Sequence, residues 1–335
     1  MPNLNYLMRV VRGARFDKMK PILETVKEKS GHSKARTFLS ILWCSVRYGA
    51  GYYDYAMFGF YAMNGRQRNT YLTRMRNKKV LQAMNDYSYA EEFDDKNRFN
   101  KRFAPYLRRR TLNGETATAQ ELAAFCAGQE AIFAKPNHGD SGRGVEKLRV
   151  ADFPNAEAML DYLHEHGLTV LEQVLAQHPQ IAALHPSSVN TLRILTDVVG
   201  DDVLIAYITL KIGTGGGCCD NAGRGGIMCR VDPESGRIVS VAMDDYFNVY
   251  DEHPDTHIHF VGYQLPMIPE AIELAKRAAR EIPQMRHVGW DVAITPDGPA
   301  IIEGNEYPGT DLCQLAPHYP EKTGLWPYYK KILGI

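Results

Sequence analysis

The strongest constraint on the fold is a pair of apolar segments near the C-terminus that flank a compact turn signal. The segments span 288–295 and 299–303, and a Pro-Asp-Gly triplet separates them. Proline suits the second position of a type I turn and glycine tolerates a positive φ, so we predict an antiparallel hairpin with a three-residue loop at 296–298. In that register Asp291 faces Glu303.

The predicted pairing gathers oxygen-bearing side chains at one end of the hairpin. Asn305 lies two residues beyond Glu303 and therefore on the same face of the strand. Directly opposed carboxylates repel unless a cation lies between them, and oxygen ligands of this kind suit Mg²⁺ bound together with nucleotide phosphates. Asp291, Glu303 and Asn305 are therefore the candidate metal ligands. A two-residue loop would put Asp291 on the wrong face, and an exposed hairpin with solvated carboxylates is the simpler alternative.

Other short runs of β-type residues precede the hairpin. They lie at 131–135, 168–172, 190–199, 203–212, 227–231 and 237–242. Between them and the hairpin, apolar residues in 269–282 recur at helical spacing. Strands separated by turn signals, with few long helices, predict an α+β fold with largely antiparallel sheets.

A glycine-rich segment follows the first of these strands. Lys135 ends the strand, and Gly139, Gly142 and Gly144 come soon after it. Such glycines let backbone N–H groups approach phosphate oxygens, while a lysine fixed on a strand adds positive charge. The segment matches neither the Walker A nor the dinucleotide-binding pattern, so a lid over phosphates and an ordinary surface turn are equally supported.

Further polar side chains lie on or beside predicted strands. They are Glu172 at the end of 168–172, Arg193 in 190–199, Lys211 in 203–212, and Asp220, Asn221 and Arg224 in the glycine-rich stretch that follows. The Glu172 carboxylate and its neighbouring backbone could hold a purine and its ribose, and the basic residues could stabilise transferring phosphate charge. Each of them is equally compatible with an ordinary strand end or a surface position.

Charge is distributed unevenly along the chain. Residues 1–110 contain 23 Lys and Arg against 9 Asp and Glu, whereas 111–335 contain 16 against 30, although the net charge is zero. The basic part indicates either an anionic partner or attraction between the two parts of the chain. Seven aromatic residues within 48–61 could face a membrane, a sugar or nucleic acid, but a helical core is the commoner arrangement.

Several protein classes are excluded by composition. No apolar run approaches the length of about 18 residues that a membrane span needs, and charged residues interrupt the N-terminal segment where a secretory signal would be apolar. The six cysteines contain no C-x-x-C pair. We therefore expect a cytoplasmic protein with reduced thiols and no nucleic-acid partner.

Taken together, the motifs resemble a known family. A lysine before a glycine-rich loop, a glutamate at the next strand end, and a terminal Asp…Glu-x-Asn form an order similar to that of the ATP-grasp superfamily. More narrowly, HPSSVNTLRILT at 185–196, DNAGRGGI at 220–227 and HVGWDVAITPDGPAIIEGN at 287–305 resemble the sugar-transfer-associated ATP-grasp family. The resemblance implies two α+β subdomains that grip ATP. We accordingly expect a helical, basic N-terminal region at 1–75, a lid subdomain at 76–175 and a catalytic subdomain at 176–335.

The resemblance also implies roles for the candidate residues. Lys135 would contact the ATP phosphates, and the loop with Gly139, Ser141, Gly142 and Gly144 would close over them. Glu172 and the neighbouring Gln173 and Val174 would hold adenine and ribose, and Lys78 or Lys79 would supply a further nucleotide contact. Mg²⁺ would bind Asp291, Glu303 and Asn305. Lys211, Asn221, Arg193 and Arg224 would stabilise the transferring phosphoryl group, although the arginine that many superfamily members carry just before the first metal carboxylate is missing from 287–290.

The activity that the resemblance implies is ATP-dependent carboxylate–amine ligation through an acylphosphate. Members lie mainly in gene neighbourhoods for surface polysaccharides, so the expected partners are small or glycan-linked carboxylates and amines. A kinase that phosphorylates a hydroxyl would use the same ATP and metal sites. A non-catalytic nucleotide-binding or membrane-docking protein is the alternative of another class, and the basic N-terminal region could then contact the membrane face.

Overall fold

Two antiparallel sheets organise the chain in a computed structural model that describes residues 16–139, 144–217, 220–309 and 313–335. The strands are β1 (Thr111–Asn113), β2 (Ala131–Lys135), β3 (Glu146–Arg149), β4 (Val170–Gln173), β5 (Thr191–Val199), β6 (Asp202–Ile212), β7 (Ile227–Val231), β8 (Ala242–Met243), β9 (Val249–Tyr250), β10 (His287–Thr295) and β11 (Gly298–Asn305). The predicted α+β class with largely antiparallel sheets is confirmed.

Helices connect and cover these sheets. The described α-helices are α1 (Phe16–Ser30), α2 (Lys34–Tyr48), α3 (Tyr52–Met57), α4 (Gly65–Arg68), α5 (Arg74–Met84), α6 (Glu91–Asp94), α7 (Lys96–Arg102), α8 (Ala104–Leu107), α9 (Ala119–Cys126), α10 (Ala156–Glu165), α11 (Pro179–Ala182), α12 (Ile268–Ala278) and α13 (Trp326–Leu333). No described helix has the length and apolar character needed to cross a bilayer.

The larger sheet has seven strands in the order β11-β10-β5-β6-β7-β8-β9. Helix α12 buries Ile268, Leu274 and Ala278 in the same core as Trp290 of β10. The short helices α6, α7 and α8 contribute Phe93, Phe99 and Leu107 to this core, and Phe103 joins it from between α7 and α8. The larger sheet therefore recruits helices from the stretch before β1, where the sequence suggested the beginning of the lid subdomain.

The smaller sheet has four strands in the order β1-β4-β2-β3. Its apolar face packs against α9 and α10 through Leu122, Phe125, Met159 and Leu163. The periodicity of the sequence identified β2 and β4 but not β1 or β3. Those two strands are three and four residues long and partly exposed, so they carry little apolar signal.

The C-terminal hairpin pairs Asp291 with Glu303 as predicted, but by a different route. Thr295 pairs with Gly298, so the loop has two residues and not three. That register alone would bring Ile302 opposite Asp291. A β-bulge corrects it, because Val292 pairs with Ile301 and the next pair is Asp291 with Glu303. Ile302 is the extra residue that returns both carboxylates to one face.

The N-terminal helices form a second core. Tyr48, Tyr55, Phe58 and Phe60 are buried there together with Phe247, which follows β8. The aromatic segment at 48–61 thus packs inward, as the core interpretation predicted. The described cysteines, which are Cys44, Cys126, Cys229 and Cys313, are buried free thiols, and Cys218 and Cys219 lie outside the described residues.

Candidate active site

A cleft of about 1030 Å³, including space open to solvent, lies between the two sheets. Both sheets contribute charged side chains to it. Several site residues predicted from the sequence line it. They are Lys135, Gly139, Glu172, Gln173, Lys211, Asn221, Asp291 and Glu303. Residues separated by more than 160 positions in the sequence therefore meet in one cavity.

On the smaller sheet, Glu172 is the centre of a buried cluster. It lies on β4, and Lys135 lies on the adjacent β2 with its Nζ 2.7 Å from Glu172 Oε1. Arg109 Nη2 donates to the same oxygen at 3.0 Å, and Asn100 Nδ2 does so at 3.2 Å. Burial alone would raise the pKa of Glu172, but the charges of Arg109 and Lys135 lower it to about 2. The carboxylate is therefore ionised and held by two cations.

On the larger sheet, Asp291 is the centre of a second cluster. The register pairs Asp291 of β10 with Arg193 of β5, and Thr191 with Lys211 of β6, so these side chains share one face. Arg193 donates through Nε to Asp291 Oδ1 at 2.5 Å, and Lys211 Nζ donates to Oδ2 at 2.9 Å. Burial opposes ionisation of Asp291, but Arg193 and then Lys211 hold its pKa well below the usual range.

Two more carboxyl groups surround this cluster. Burial, and then the negative charge of Asp291, raise the pKa of Glu303, whose side chain remains accessible from the cleft. Asp220 accepts hydrogen bonds from the backbone N–H and the hydroxyl of Thr191, and its Oδ1 lies 3.7 Å from Lys211 Nζ. Burial raises the pKa of Asp220 as well, and Lys211 offsets this only in part. Three carboxyl groups thus share two cations.

The remaining predicted residues differ in their placement. Asn305 pairs with Gly289 next to the Asp291–Glu303 pair, and its Nδ2 donates to Gly289 O at 3.3 Å. The predicted residues that do not belong to the described lining of the cleft are Asn305, Arg193, Val174, Gly144, Arg224 and Lys78. Lys78 and Arg224 are exposed, and Lys78 lies on α5. Ser141 and Gly142 lie outside the described residues.

Sequence reasoning missed Arg109, which joins both sides of the cleft. Besides Glu172, its guanidinium donates to Ile301 O at 2.5 Å through Nη1 and to Ile302 O at 3.0 Å through Nη2. Ile302 is the bulged residue, so Arg109 links the Glu172 cluster to the backbone that carries Glu303. The only signal in the sequence was its place in a run of three arginines before β1, which reads as a solvated surface.

Lys96 was also missed. It lines the cleft, and its Nζ donates to Asn137 O at 3.2 Å and to Gly139 O at 2.8 Å. The lysine thereby adds positive charge at the foot of the glycine-rich segment. It lies in a mixed-charge stretch of helix, and nothing in its spacing distinguished it from a surface lysine.

The donor set at β10 and β11 fits a divalent cation that also binds phosphate. No described group of three or more His, Cys, Asp or Glu side chains is arranged as a complete metal site. Mg²⁺ does not need one, because one or two carboxylates and the phosphates of a substrate usually hold it. Two adjacent carboxyl groups with opposite pKa shifts, beside an amide on the same face, meet that requirement.

Comparison with known proteins gave a family match. The sequence matches the family described as sugar-transfer associated ATP-grasp over residues 75–332. No curated protein sequence matches it at a significant level.

Similarity to solved structures is distant. D-alanyl-alanine synthetase A from Vibrio cholerae O1 biovar eltor str. N16961 shares 12% identity, with a TM-score of 0.43 over 72% of this chain and 64% of that chain. ATP-grasp ligase PsnB complexed with minimal precursor, Mg and ADP shares 14%, with 0.39 over 80% and 68%. The ADP complex of N5-carboxyaminoimidazole ribonucleotide synthetase shares 11%, with 0.39 over 69% and 48%. The match thus spans less than two thirds of the first of these chains.

Proposed function

The chain belongs to the sugar-transfer-associated ATP-grasp family, and on that premise we propose that it is an ATP-dependent ligase that joins a carboxylate to an amine. The observation that carries the proposal is the opposite charge at the two sides of the cleft. Glu172 with Arg109 and Lys135 leaves one positive charge in excess, whereas Asp220, Asp291 and Glu303 with Arg193 and Lys211 leave one negative charge when all are ionised. A polyphosphate suits the first side and a divalent cation suits the second.

In this proposal the smaller sheet binds the nucleotide. Lys135, Lys96 and Gly139 line the cleft, and there they would face the phosphates. Glu172, Gln173 and Val174 follow one another at the end of β4, where the chain crosses to the larger sheet and backbone groups become free to meet adenine and ribose. Arg109 keeps Glu172 ionised and fixed, so it is a positioning residue.

The larger sheet would hold the metal. Asp291, Glu303 and Asn305 supply oxygen ligands on one face of the hairpin. A bound Mg²⁺ would neutralise phosphate charge, which is its usual contribution to phosphoryl transfer. Since Glu303 has a raised pKa beside Asp291, the cation would also relieve the repulsion between the two carboxylates.

The chemistry we propose has two steps. A substrate carboxylate oxygen attacks the γ-phosphorus of ATP, the bond from that phosphorus to the bridging oxygen breaks, and ADP leaves. An amine then attacks the acyl carbon of the acylphosphate, loses a proton and releases inorganic phosphate. Lys211 and Asn221, which line the cleft, and Arg193, which binds Asp291, would stabilise the charge that develops, and no protein nucleophile is required.

The family description points to sugar transfer, so we place the substrates in glycan assembly. A sugar acid, an amino sugar or an amino acid would each supply the carboxylate or the amine that the two steps need. Candidate acids and amines of these classes form the panel for the test below.

Hydroxylamine trapping tests the proposal. Purified protein is incubated with MgATP, the panel of acids and hydroxylamine, and hydroxamate and ADP are measured. Hydroxamate together with ADP in the presence of one acid supports an acylphosphate. ADP and a phosphorylated hydroxyl without hydroxamate would show a kinase and overturn the ligase.

A matched pair of variants guards against contaminating activity. Glu303→Gln removes a proposed metal ligand, whereas Glu270→Gln changes an exposed carboxylate on α12 outside the cleft. Hydroxamate formation should disappear in the first variant and persist in the second. Equal activity of both variants would contradict the assignment of this cleft.

A further inference from the structure

The outer face of α2 exposes apolar side chains between arginines. Leu39 and Trp43 are 65% and 58% exposed, and Arg36 and Arg47 are exposed on the same helix. Their spacing of three, four and four residues places all of them on one side of the helix. The opposite side buries Thr37, Ile41 and Cys44 in the N-terminal core. The helix therefore packs one side against the core and exposes to solvent a second side that carries both apolar and basic side chains.

A third apolar side chain extends this face beyond the end of the helix. Met75 is 49% exposed, and its backbone N–H donates to Gly49 O, at the C-terminal cap of α2. Its side chain lies directly over Gly49, because a Cβ added there would come within 2.5 Å of Met75 Cβ. Leu39, Trp43 and Met75 thus lie along and just beyond one helix.

A basic crevice adjoins the same helix. Its lining residues are Arg47, Tyr48, Asn64, Gly65, Arg66 and Asn69, and its volume is about 940 Å³, including space open to solvent. Arg76 borders it, because its Nη2 donates to Asn69 Oδ1 at 2.7 Å. Burial and then the nearby charge of Arg47 lower the pKa of Arg76 to about 10, so these two cations lie close together.

No carboxylate among the described residues forms an ion pair with Arg47, Arg66 or Arg76. Residues 1–110 as a whole carry 23 basic against 9 acidic residues, so the charge is not balanced locally either. An unbalanced arginine group with amide donors is suited to phosphate oxygens. A soluble phosphate has no apolar surface that the neighbouring apolar side chains could contact.

We propose that this docking face, formed by Leu39, Trp43, Arg47, Arg66 and Met75, binds the surface of an anionic lipid membrane. Tryptophan favours the boundary between headgroups and acyl chains, and arginines beside it pair with lipid phosphates. Each basic side chain near an anionic bilayer contributes attraction that salt weakens. The inference is independent of the ligase chemistry and stands or fails separately from it.

The three tryptophans of the chain provide a direct test. Trp290 is fully buried and Trp326 is 9% exposed, so Trp43 alone among them faces solvent. Full-length protein is titrated with vesicles of phosphatidylcholine mixed with phosphatidylglycerol, and with vesicles of phosphatidylcholine alone. We expect a blue shift of tryptophan emission and co-sedimentation with the anionic vesicles only. Trp43→Phe should abolish the shift while most of the co-sedimentation persists.

Charge reversal with a matched control separates a specific face from net charge. Arg47→Glu combined with Arg66→Glu should weaken co-sedimentation by about tenfold or more. Lys147→Glu combined with Lys331→Glu makes the same change of net charge at exposed positions elsewhere and should leave binding within about twofold of the wild type. Circular dichroism verifies that both proteins are folded. Equal losses in the two proteins would overturn the proposal.

Other occupants of this face predict different results. A second copy of the chain would shield Trp43 from a soluble quencher in a concentration-dependent way, with a dimer in light scattering. Residues 1–15 would shield it at every concentration. A site for soluble phosphate would bind inorganic phosphate with no preference for vesicles. Any of these three results, without vesicle binding, would overturn membrane docking.

Discussion

The two sides of the cleft solve the burial of a carboxylate in different ways. Glu172 has two cations and an amide to itself, and its pKa falls to about 2. On the larger sheet, Asp291 takes the same kind of partners from Arg193 and Lys211, but Asp220 and Glu303 must share those cations and both have raised pKa values. The Glu172 carboxylate is fully paired within the protein, whereas the second cluster has one negative charge too many.

This difference distinguishes a carboxylate with a structural role from carboxylates that could bind a cation. A buried carboxylate that is fully paired holds its neighbours in place, and removing it leaves cations without a partner. A carboxylate that is left over gains from a cation that the protein does not supply. The cleft therefore has one side whose buried carboxylate is fully paired and another side where carboxyl groups outnumber the cations.

The largest expected effect comes from neutralising the surplus carboxylate. Glu303→Gln should lower ATP-dependent turnover by about a hundredfold to a thousandfold, because a proposed ligand for the divalent cation is lost. Its unfolding free energy should stay the same or rise, since the repulsion from Asp291 disappears. Turnover assays and denaturant titrations measure the two quantities. A large loss of stability would show that Glu303 has a structural role like that of Glu172.

For the Glu172 cluster we expect the opposite behaviour. Glu172→Gln should destabilise the fold by about 3 kcal/mol at neutral pH, from a pKa that falls from 4.5 to about 2. Because the folded pKa is the lower one, this stabilisation is present above about pH 4.5 and disappears as the pH falls toward 2.

Denaturant unfolding across that pH window tests the sign. The difference in unfolding free energy between wild type and Glu172→Gln should shrink as the pH falls. A difference that stays constant would mean that the ion pairs of Glu172 with Arg109 and Lys135 contribute little. The same titration on Glu303→Gln gives the contrast between the two clusters.

A smaller effect is expected from Lys135. Lys135→Met should weaken ATP binding by about tenfold, the value of one charge-assisted hydrogen bond, while Arg109 and Asn100 still hold Glu172. Isothermal titration with a non-hydrolysable ATP analogue measures this. The matched control is Lys78→Met, an exposed lysine outside the cleft, which should leave affinity unchanged. Equal losses of affinity in the two variants would show that Lys78 also contributes to nucleotide binding.

The sequence predicted the strands that carry the site better than the helices around them. β2 and β7 begin and end at the predicted residues, and β5, β6 and β10 differ by one residue at their first positions. These strands are long or strongly apolar, so their pattern is unambiguous. The segment at 237–242 behaved differently. It forms isolated bridges at Arg237 and Ile238, and its last residue begins the two-residue strand β8.

The pairing of Asp291 with Glu303 was predicted correctly, but the turn from which it was predicted was wrong. Turn chemistry favoured a three-residue loop, and the structure forms a two-residue loop with a bulge at Ile302. Arg109 donates to the carbonyl of Ile301 and to that of the bulged residue, Ile302. Local turn preferences contain no information about a guanidinium that approaches from another part of the chain.

By itself, the sequence determined which residue types are available for the chemistry: a lysine on a strand before glycines, a glutamate at a strand end, and carboxylates at alternate positions of a hairpin. These follow from short-range periodicity and from the conformations that proline and glycine permit. Only the tertiary structure decided which charges meet. Arg109 reaches Glu172 across 63 positions, and Lys211 reaches Asp291 across 80. Such partners depend on sheet order and on the packing between sheets, and so does the difference between a satisfied carboxylate and one that still needs a cation.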